Sequence, residues 1–368
     1  MKQQSKGQGT ISYDKVHNSY RAYYVTPAGR RISKRFKEKK EAAAWLADQQ
    51  SKANSGNFIE PSNITLGSWL VTWIQEYKKA AVSQRTLERY VELASKCAPI
   101  AGIKLQQLTV PQVQAMYSQL AGDGLSAHTI DKVHKVLKAA MKKALQVGLI
   151  PRNIIDAVEP PKFERTHEIV TFTRTEVDAI LSAARDHNQG RYYCFILLAI
   201  TTGMRLGELL ALRWSDLNPL RREVAINRNL QQAKSGIIIN PPKTKAGRRT
   251  ISVPAQVVSA LQELKHGRKI ESIDALIFVT GTGTPYSPRN IEHAWKRIMR
   301  KADIPYRNFH VLRHTHCTDL LAAGVPIVEV ARRVGHARIS HTLELYGHAI
   351  PSYDKEIAGK VSNLYLVR

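Results

Sequence analysis

The sequence predicts a multidomain, mainly α protein: a small N-terminal three-stranded sheet plus one helix, then a helical bundle, then a larger mixed α+β unit. Three observations predict it. At 368 residues the chain exceeds one ordinary core and suggests two or three compact units. Apolar residues recur with a period of two near the N-terminus and near 3.6 over most of the remaining chain. Two polar stretches with proline, ANSGNFIEPSN at 53–63 and EPPKFERTHE at 159–168, interrupt the periodicity and read as connections.

Taken in order, TISYDKV, YRAYYVT and RRISKRF within residues 9–36 alternate polar and apolar positions, with a turn signal at Pro27-Ala28-Gly29. EKKEAAAWLADQQSKA then puts Ala42, Trp45, Leu46 and Gln49 at helical spacing, fit to cover one face of that sheet. Arg30, Arg31, Lys34 and Arg35 crowd the third strand, either as a solvated basic face or as a sheet that enters a DNA groove. From Thr65 to about Val158 the signals are helical. Thr109 and Gln112 have capping-box spacing, Ser126 can cap the last helix, and Gly148 followed by Pro151 ends it. On that helix Lys132, Lys135, Lys138 and Lys142 share one side, while Val133, Leu137, Ala140, Met141 and Ala144 share another. A lysine stripe facing phosphates fits this pattern, and so does a merely solvated face.

The third unit opens on a capping box, Thr173 to Glu176, and continues through an apolar helix ending near Thr201. A β segment is expected from about Glu223 to Val253, and helices resume at Ser287-Pro288. Within the β segment, GIIINPPKTKAGRRTISV reads as two strands joined by a turn at Ala246-Gly247, with Lys243 and Lys245 near its tip.

Charge narrows the function. Lysine and arginine number 55 against 30 acidic residues, a formal net charge of +25, so a polyanion is the expected partner and nucleic acid the leading one. The longest apolar run, YYCFILLAITTGM, is too short to span a bilayer, so no membrane association is expected, and no secretory signal is visible. Cys97, Cys194 and Cys317 are scattered, which suggests a reducing compartment and argues against structural zinc. HTHC at 314–317 has no second ligand pair, so no metal is expected.

Several residues can do chemistry. In TTGMRLGELLAL, Gly203 breaks the chain and a helix begins near Arg205, with Glu208 three residues on and able to orient its guanidinium, or to form a plain surface ion pair with it. FHVLRHTH puts His310 and Arg313 three apart, on one face if helical, and His336 follows a helix that Gly335 ends. In GHARISHTLELYGH, Tyr346 taken by itself reads as a half-buried core ring rather than a nucleophile.

Four stretches in order, TGMRLGELLAL, PPKTKAGRRTI, HVLRHTHCTDLLAAGV and VGHARISHTLELYGH, closely resemble the tyrosine recombinases, in particular the integrases of temperate phages and integrative conjugative elements. The catalytic resemblance covers roughly residues 168–350. It implies a tyrosine recombinase catalytic domain with a C-terminal tail over 168–368, a helical core-binding domain of SAM-like type over 63–158 and an arm-type DNA-binding domain over 1–60. It further implies Arg205, Lys243, His310, Arg313 and His336 as the activating set and Tyr346 as nucleophile, with Lys245 close enough to compete for the lysine's place; Glu208 is expected in support from its spacing to Arg205. Arg30, Arg31, Lys34, Arg35, Lys132, Lys135, Lys138, Lys142 and Lys245 are the expected DNA contacts.

The chemistry suits these groups. A phosphodiester repels an attacking oxygen, and two guanidiniums can present paired donors to the non-bridging oxygens as charge builds. The resemblance implies a 3′-phosphotyrosine that conserves the bond for rejoining, so neither metal nor nucleotide cofactor is called for. It also implies double-stranded DNA carrying core-type and arm-type attachment sites, a homotetramer shaped as C-clamps on two duplexes, passage through a Holliday junction, and help from an excisionase and a DNA-bending host factor. The expected location is the cytoplasm of a bacterial host, in association with the nucleoid. The tail's apolar VSNLYLV is expected to dock on a neighbouring subunit. The competing readings are a DNA-binding architectural or regulatory protein without catalysis, and a type IB topoisomerase.

Overall fold

The structure is a computed structural model that describes residues 9–56, 58–162, 170–186, 191–242, 244–266, 272–349 and 361. The chain divides into two compact units, Met1–Glu164 and Arg165–Arg368.

The first unit holds two small cores. Strands β1 (Gly9–Asp14), β2 (Ser19–Val25) and β3 (Arg31–Phe36) form an antiparallel sheet in that order, followed by helix α1 (Lys39–Asn54). Period-two alternation turns Ile11, Ala22, Tyr24 and Ile32 toward Ala42 and Leu46 of α1. The opposite face carries Tyr23, paired in register with Thr10 and Ser33, and Arg21, paired with Ser12 and Arg35. A bundle comes next: α2 (Leu66–Thr72) running into a π-helical turn at Trp73–Lys78, α3 (Gln84–Ser95), α4 (Val110–Gly122) and α5 (Ala127–Gln146). The caps are those expected. The Thr109–Gln112 box closes on itself, the Ser126 hydroxyl accepts from Thr129 N–H, and Gly148 takes φ +74° beyond the end of α5. Val133, Leu137, Ala140, Met141 and Ala144 are buried in the bundle core, and the Trp69 indole donates to the Ala140 carbonyl at 2.9 Å.

The second unit begins with α6 (Arg174–Arg185), capped by Thr173 and Glu176, and α7 (Arg191–Thr202). The apolar run of α7 is buried nearly all round, as a helix without a polar face must be, and among the described residues no helix is long and apolar enough to cross a membrane. Gly203, at φ +63°, turns the chain into the short α8 (Leu206–Leu210); a Cβ there would lie 2.6 Å from the His316 ring. Then come β4 (Leu217–Asn218), β5 (Glu223–Ile226), β6 (Asn229–Ala233), β7 (Gly236–Asn240) and β8 (Arg249–Ser252). Helices α9 (Ala255–His266), α10 (Pro288–Lys301), α11 (Val311–Ala322), α12 (Ile327–Val334) and α13 (Ile339–Tyr346) complete the unit. The Ser287 hydroxyl caps α10 with Pro288 at its first position, as the sequence suggests.

One expectation is corrected. GIIINPPKTKAGRRTISV does contain two strands, but they do not pair with each other: β7 pairs with β6, and β8 pairs with β5 in the β4-β5-β8 sheet. Pro241 and Pro242 offer no N–H to a ladder, so β7 ends before them and finds its partner through the tight turn before Gly236. The Ala246-Gly247 turn is instead a single 3-10 turn, Lys245–Gly247.

Candidate active site

The site is assembled at the C-terminal end of α12. This helix stops in a Schellman arrangement: Gly335, at φ +70°, donates to the Arg332 carbonyl at 3.2 Å, and His336 N–H donates to the Ala331 carbonyl at 3.0 Å. The next three carbonyls along the chain are taken by arginines from elsewhere in the unit. Arg249 Nε donates to Arg333 O at 2.7 Å, Arg313 Nη2 to Val334 O at 2.8 Å and Arg205 Nη2 to Gly335 O at 3.1 Å.

Each guanidinium has a second anchor. Arg313, 3% exposed, reaches from the first turn of α11 to the Gly203 carbonyl at 2.7 Å. Arg205 stands just before α8, with Nη1 on Glu208 Oε1 at 2.8 Å and its own N–H on Oε2 at 3.0 Å. Glu208 is no surface partner: it is 3% exposed and lies between Arg205 and Arg249, whose Nη2 meets Oε2 at 2.9 Å. Burial opposes its ionisation, but the Arg249 hydrogen bond and the charges of Arg249 and Arg205 prevail and hold its carboxyl below the usual range. Burial, then the neighbouring Arg205, brings Arg313 down to about 10, which still leaves it cationic at neutral pH.

Tyr346 ends α13 and is buried, packed with Cys317, Leu321, Val330 and Val334. Its hydroxyl is 2.7 Å from His314 Nδ1. Burial and then the Cys317 thiol push its pKa up, while the charges of Arg313 and Arg205 act on the same hydroxyl in the opposite sense. His310, which begins α11, lies edge-on to His314 with ring centroids 4.8 Å apart. Although His310 reaches solvent, the protein around it strips water from the ring; that desolvation, then His314, Arg313 and Arg205, lowers it to about 4. His314 is lowered as well, by burial and then by Arg313. His336 is held by Thr342, whose hydroxyl is 2.7 Å from Nδ1.

The structure thus brings together Arg205, Glu208, His310, Arg313, His336 and Tyr346 from the residues singled out in the sequence. Lys243 lies outside the described residues, and Lys245 is exposed at the start of its 3-10 turn. Sequence reasoning passes over His314, the hydrogen-bond partner of the tyrosine, and Arg249. Both leave a signal: His314 is one helical turn after His310, and strand alternation turns Arg249 inward with Ile251 while Arg248 and Thr250 face out. The HTHC histidines diverge, and Cys317 joins His314 at Tyr346. His314 faces Tyr346, whereas His316 spans to the Ile200 carbonyl at 2.8 Å and to Arg333.

In the first unit the expected DNA contacts separate by face. Arg31 and Arg35 lie on the outer face of the sheet, joined there by Arg21, which is not among the expected contacts; Arg31 and Arg21 flank the Tyr23 ring at 4.1 and 5.3 Å, and Arg21 donates to the Ser33 hydroxyl. Lys34 pairs in register with Ala22 on the helix side, its ammonium over Phe36, and Arg30 is tied at the turn to Pro61 O. On α5, Lys135, Lys138 and Lys142 are exposed and Lys132 is half-buried; Lys135 is paired with Asp131 and Lys138 with Asp156.

A model of the phage integrase family matches residues 171–352, the stretch that carries the whole cluster around Tyr346. A tyrosine recombinase XerC-like protein of Caldanaerobacter subterraneus subsp. tengcongensis is 29% identical over 389 residues, which cover 95% of this chain and 98% of the relative. Among solved structures, the Tn1549 transposon integrase in complex with a circular intermediate DNA aligns with a TM-score of 0.71 at 23% identity, over 82% of this chain and 99% of the other. A lambda integrase tetramer bound to a Holliday junction aligns with a TM-score of 0.58 at 20% identity, over 90% of this chain and 96% of the other. Residues 171–352 therefore belong to the phage integrase family, the tyrosine recombinases.

Proposed function

We propose that this recombinase cuts and rejoins DNA at a specific site through Tyr346, integrating and excising a mobile element. The observation that carries the reading is the Tyr346 hydroxyl, hydrogen-bonded to a neutral histidine and under the field of two fixed guanidiniums. Arg205 and Arg313 hold the non-bridging oxygens of the scissile phosphate, and His336 adds a further hydrogen bond. The phenol loses its proton to His314, with His310 beside it, as its oxygen attacks phosphorus. The bond from phosphorus to the 5′-oxygen breaks, Lys243 or Lys245 supplies that oxygen's proton, and the 3′-phosphotyrosine keeps the linkage for the return step. No step draws on a metal or nucleotide.

The outer face of the N-terminal sheet, with Arg21, Arg31 and Arg35, reads arm-type DNA, and the α5 lysines contact core-type DNA. Four protomers join two duplexes through a Holliday junction, assisted by an excisionase and a DNA-bending host protein, in the cytoplasm of a bacterial host at its nucleoid. The tail segment that would dock on a neighbour falls in residues 350–368, outside the described residues apart from Val361.

The test is a nicked duplex carrying the joined ends of the element, incubated in EDTA with wild type or Tyr346→Phe. Wild type should yield a covalent protein–DNA band and the variant none, with duplex binding retained. A band from the variant, or relaxation of any supercoiled plasmid irrespective of sequence, defeats the proposal.

A further inference from the structure

Arg249 takes no part in the proposed cleavage chemistry, yet it is the most thoroughly anchored of the three arginines at the end of α12. Its side chain is 7% exposed. Nε is on Arg333 O at 2.7 Å, Nη1 on Glu208 Oε1 and on Gly247 O at 3.2 Å each, and Nη2 on Glu208 Oε2 at 2.9 Å. These donors all face the protein interior, so Arg249 is placed to hold protein groups and not a phosphate. What it holds are the two supports of Arg205: the Glu208 carboxylate on one side, and on the other the backbone whose next carbonyl but one, Gly335 O, receives Arg205 Nη2.

From this we infer that Arg249 is a positioning residue for strand cleavage, which sets the Arg205 guanidinium by clamping Glu208 to the end of α12. The inference rests on the reading of Arg205 as a phosphate-binding cation. The physical reason is charge balance in a dry place. With Arg249 absent, Glu208 would be a buried carboxylate with Arg205 as its only hydrogen-bonded cation among the described residues, and it would draw that guanidinium off the phosphate and away from Gly335 O. A lysine cannot replace the clamp, since one ammonium cannot bridge both carboxylate oxygens and the Arg333 carbonyl in fixed geometry. Gly335 belongs to the same device. A Cβ there would stand 2.7 Å from Arg249 Nη1 and 2.9 Å from Ala246 O, so the junction of α12 with His336 closes on the clamp only if residue 335 has no side chain.

The test measures covalent-complex formation on nicked junction duplexes with two scissile linkages, the natural phosphodiester and a methylphosphonate. In the latter a methyl group replaces one non-bridging oxygen, so less negative charge develops and a misplaced cation costs less. Arg249→Met should cleave the phosphodiester about a hundredfold more slowly, as expected for a misplaced group, while duplex affinity stays within about twofold. On the methylphosphonate the deficit should shrink to a few-fold, as it should for Arg205→Ala. Adding Glu208→Gln to Arg249→Met should cost less than the two single changes multiplied, because the second charge is then no longer stranded. Arg249→Lys, which keeps the charge and guards against a folding failure, should show the same dependence on linkage with a smaller deficit.

An equal deficit on both linkages in Arg249→Lys, multiplicative effects in the double variant, or a wild-type rate in Arg249→Met overturns the inference. Failure of wild type to form any covalent complex would instead overturn the Tyr346 reading on which it stands.

Discussion

Tyr346 holds its proton more tightly than a free phenol, and the groups around it explain both why and how the proton can leave. Burial and the Cys317 thiol favour the neutral ring, whereas His314 offers a nitrogen at 2.7 Å and the two arginines favour the anion. In the proposed cleavage the histidines can accept a proton only while neutral. His314 is lowered from its ordinary 6.5 and His310 to about 4, so both remain uncharged below the pH at which an exposed histidine charges. Acid puts a proton on the acceptor nitrogen, and because the shift is downward that loss comes late. Cleavage followed as covalent complex against pH is therefore expected to decay with a midpoint below 6.5. A decay centred at 6.5, or one unaltered in His314→Asn, contradicts the assignment of His314. At this scale the sequence is partly legible. His310, Arg313 and Tyr346 sit in recognisable motifs, but His314 is hidden in plain view, because one histidine among the three of FHVLRHTH has no distinguishing neighbour until α13 lays its tyrosine across the helix.

Among the elements, α12 contributes most, through backbone and not side chains. A helix C-terminus presents carbonyls with no intrahelical partner and a partial negative charge, and here three successive ones seat three arginines. The capping glycine is readable in the sequence; the guests at its carbonyls are not. Helix α5 shows the reverse case, where amphipathic spacing alone separates the buried Val133, Leu137 and Met141 from the outward lysines. If those lysines meet phosphates, Lys132→Ala and Lys142→Ala should each weaken binding to core-type and unrelated duplexes alike and lower the slope of log affinity against log salt by about one. A loss confined to one sequence would point to base reading instead. The mistaken hairpin at 236–253 belongs to this scale too: both strands are visible from alternation, but pairing partners are not a local property, and Pro241-Pro242 sends β7 to β6.

For the molecule as a whole, a formal charge of +25 on 368 residues predicts binding dominated by counterion release. With about six to ten phosphates neutralised, affinity for duplex DNA should drop roughly 10³- to 10⁵-fold between about 50 and 200 mM salt, measured by titration at fixed pH. A shallow slope would mean that most of the excess charge faces something other than DNA.

By itself the sequence determined the polyanion partner, the helical caps, the alternation of the N-terminal sheet and the ordered motifs of a tyrosine recombinase. Those signals are written within a few residues of one another, where helix period, strand period and turn chemistry operate. Only the tertiary structure decided that Arg249 meets Glu208 41 residues away, that Arg205 meets the Gly335 carbonyl 130 residues away, and that His314 rather than His310 touches the tyrosine 32 residues on. Which buried guanidinium finds which carbonyl depends on how α7, α11 and α12 pack, and packing sums contacts over the entire unit.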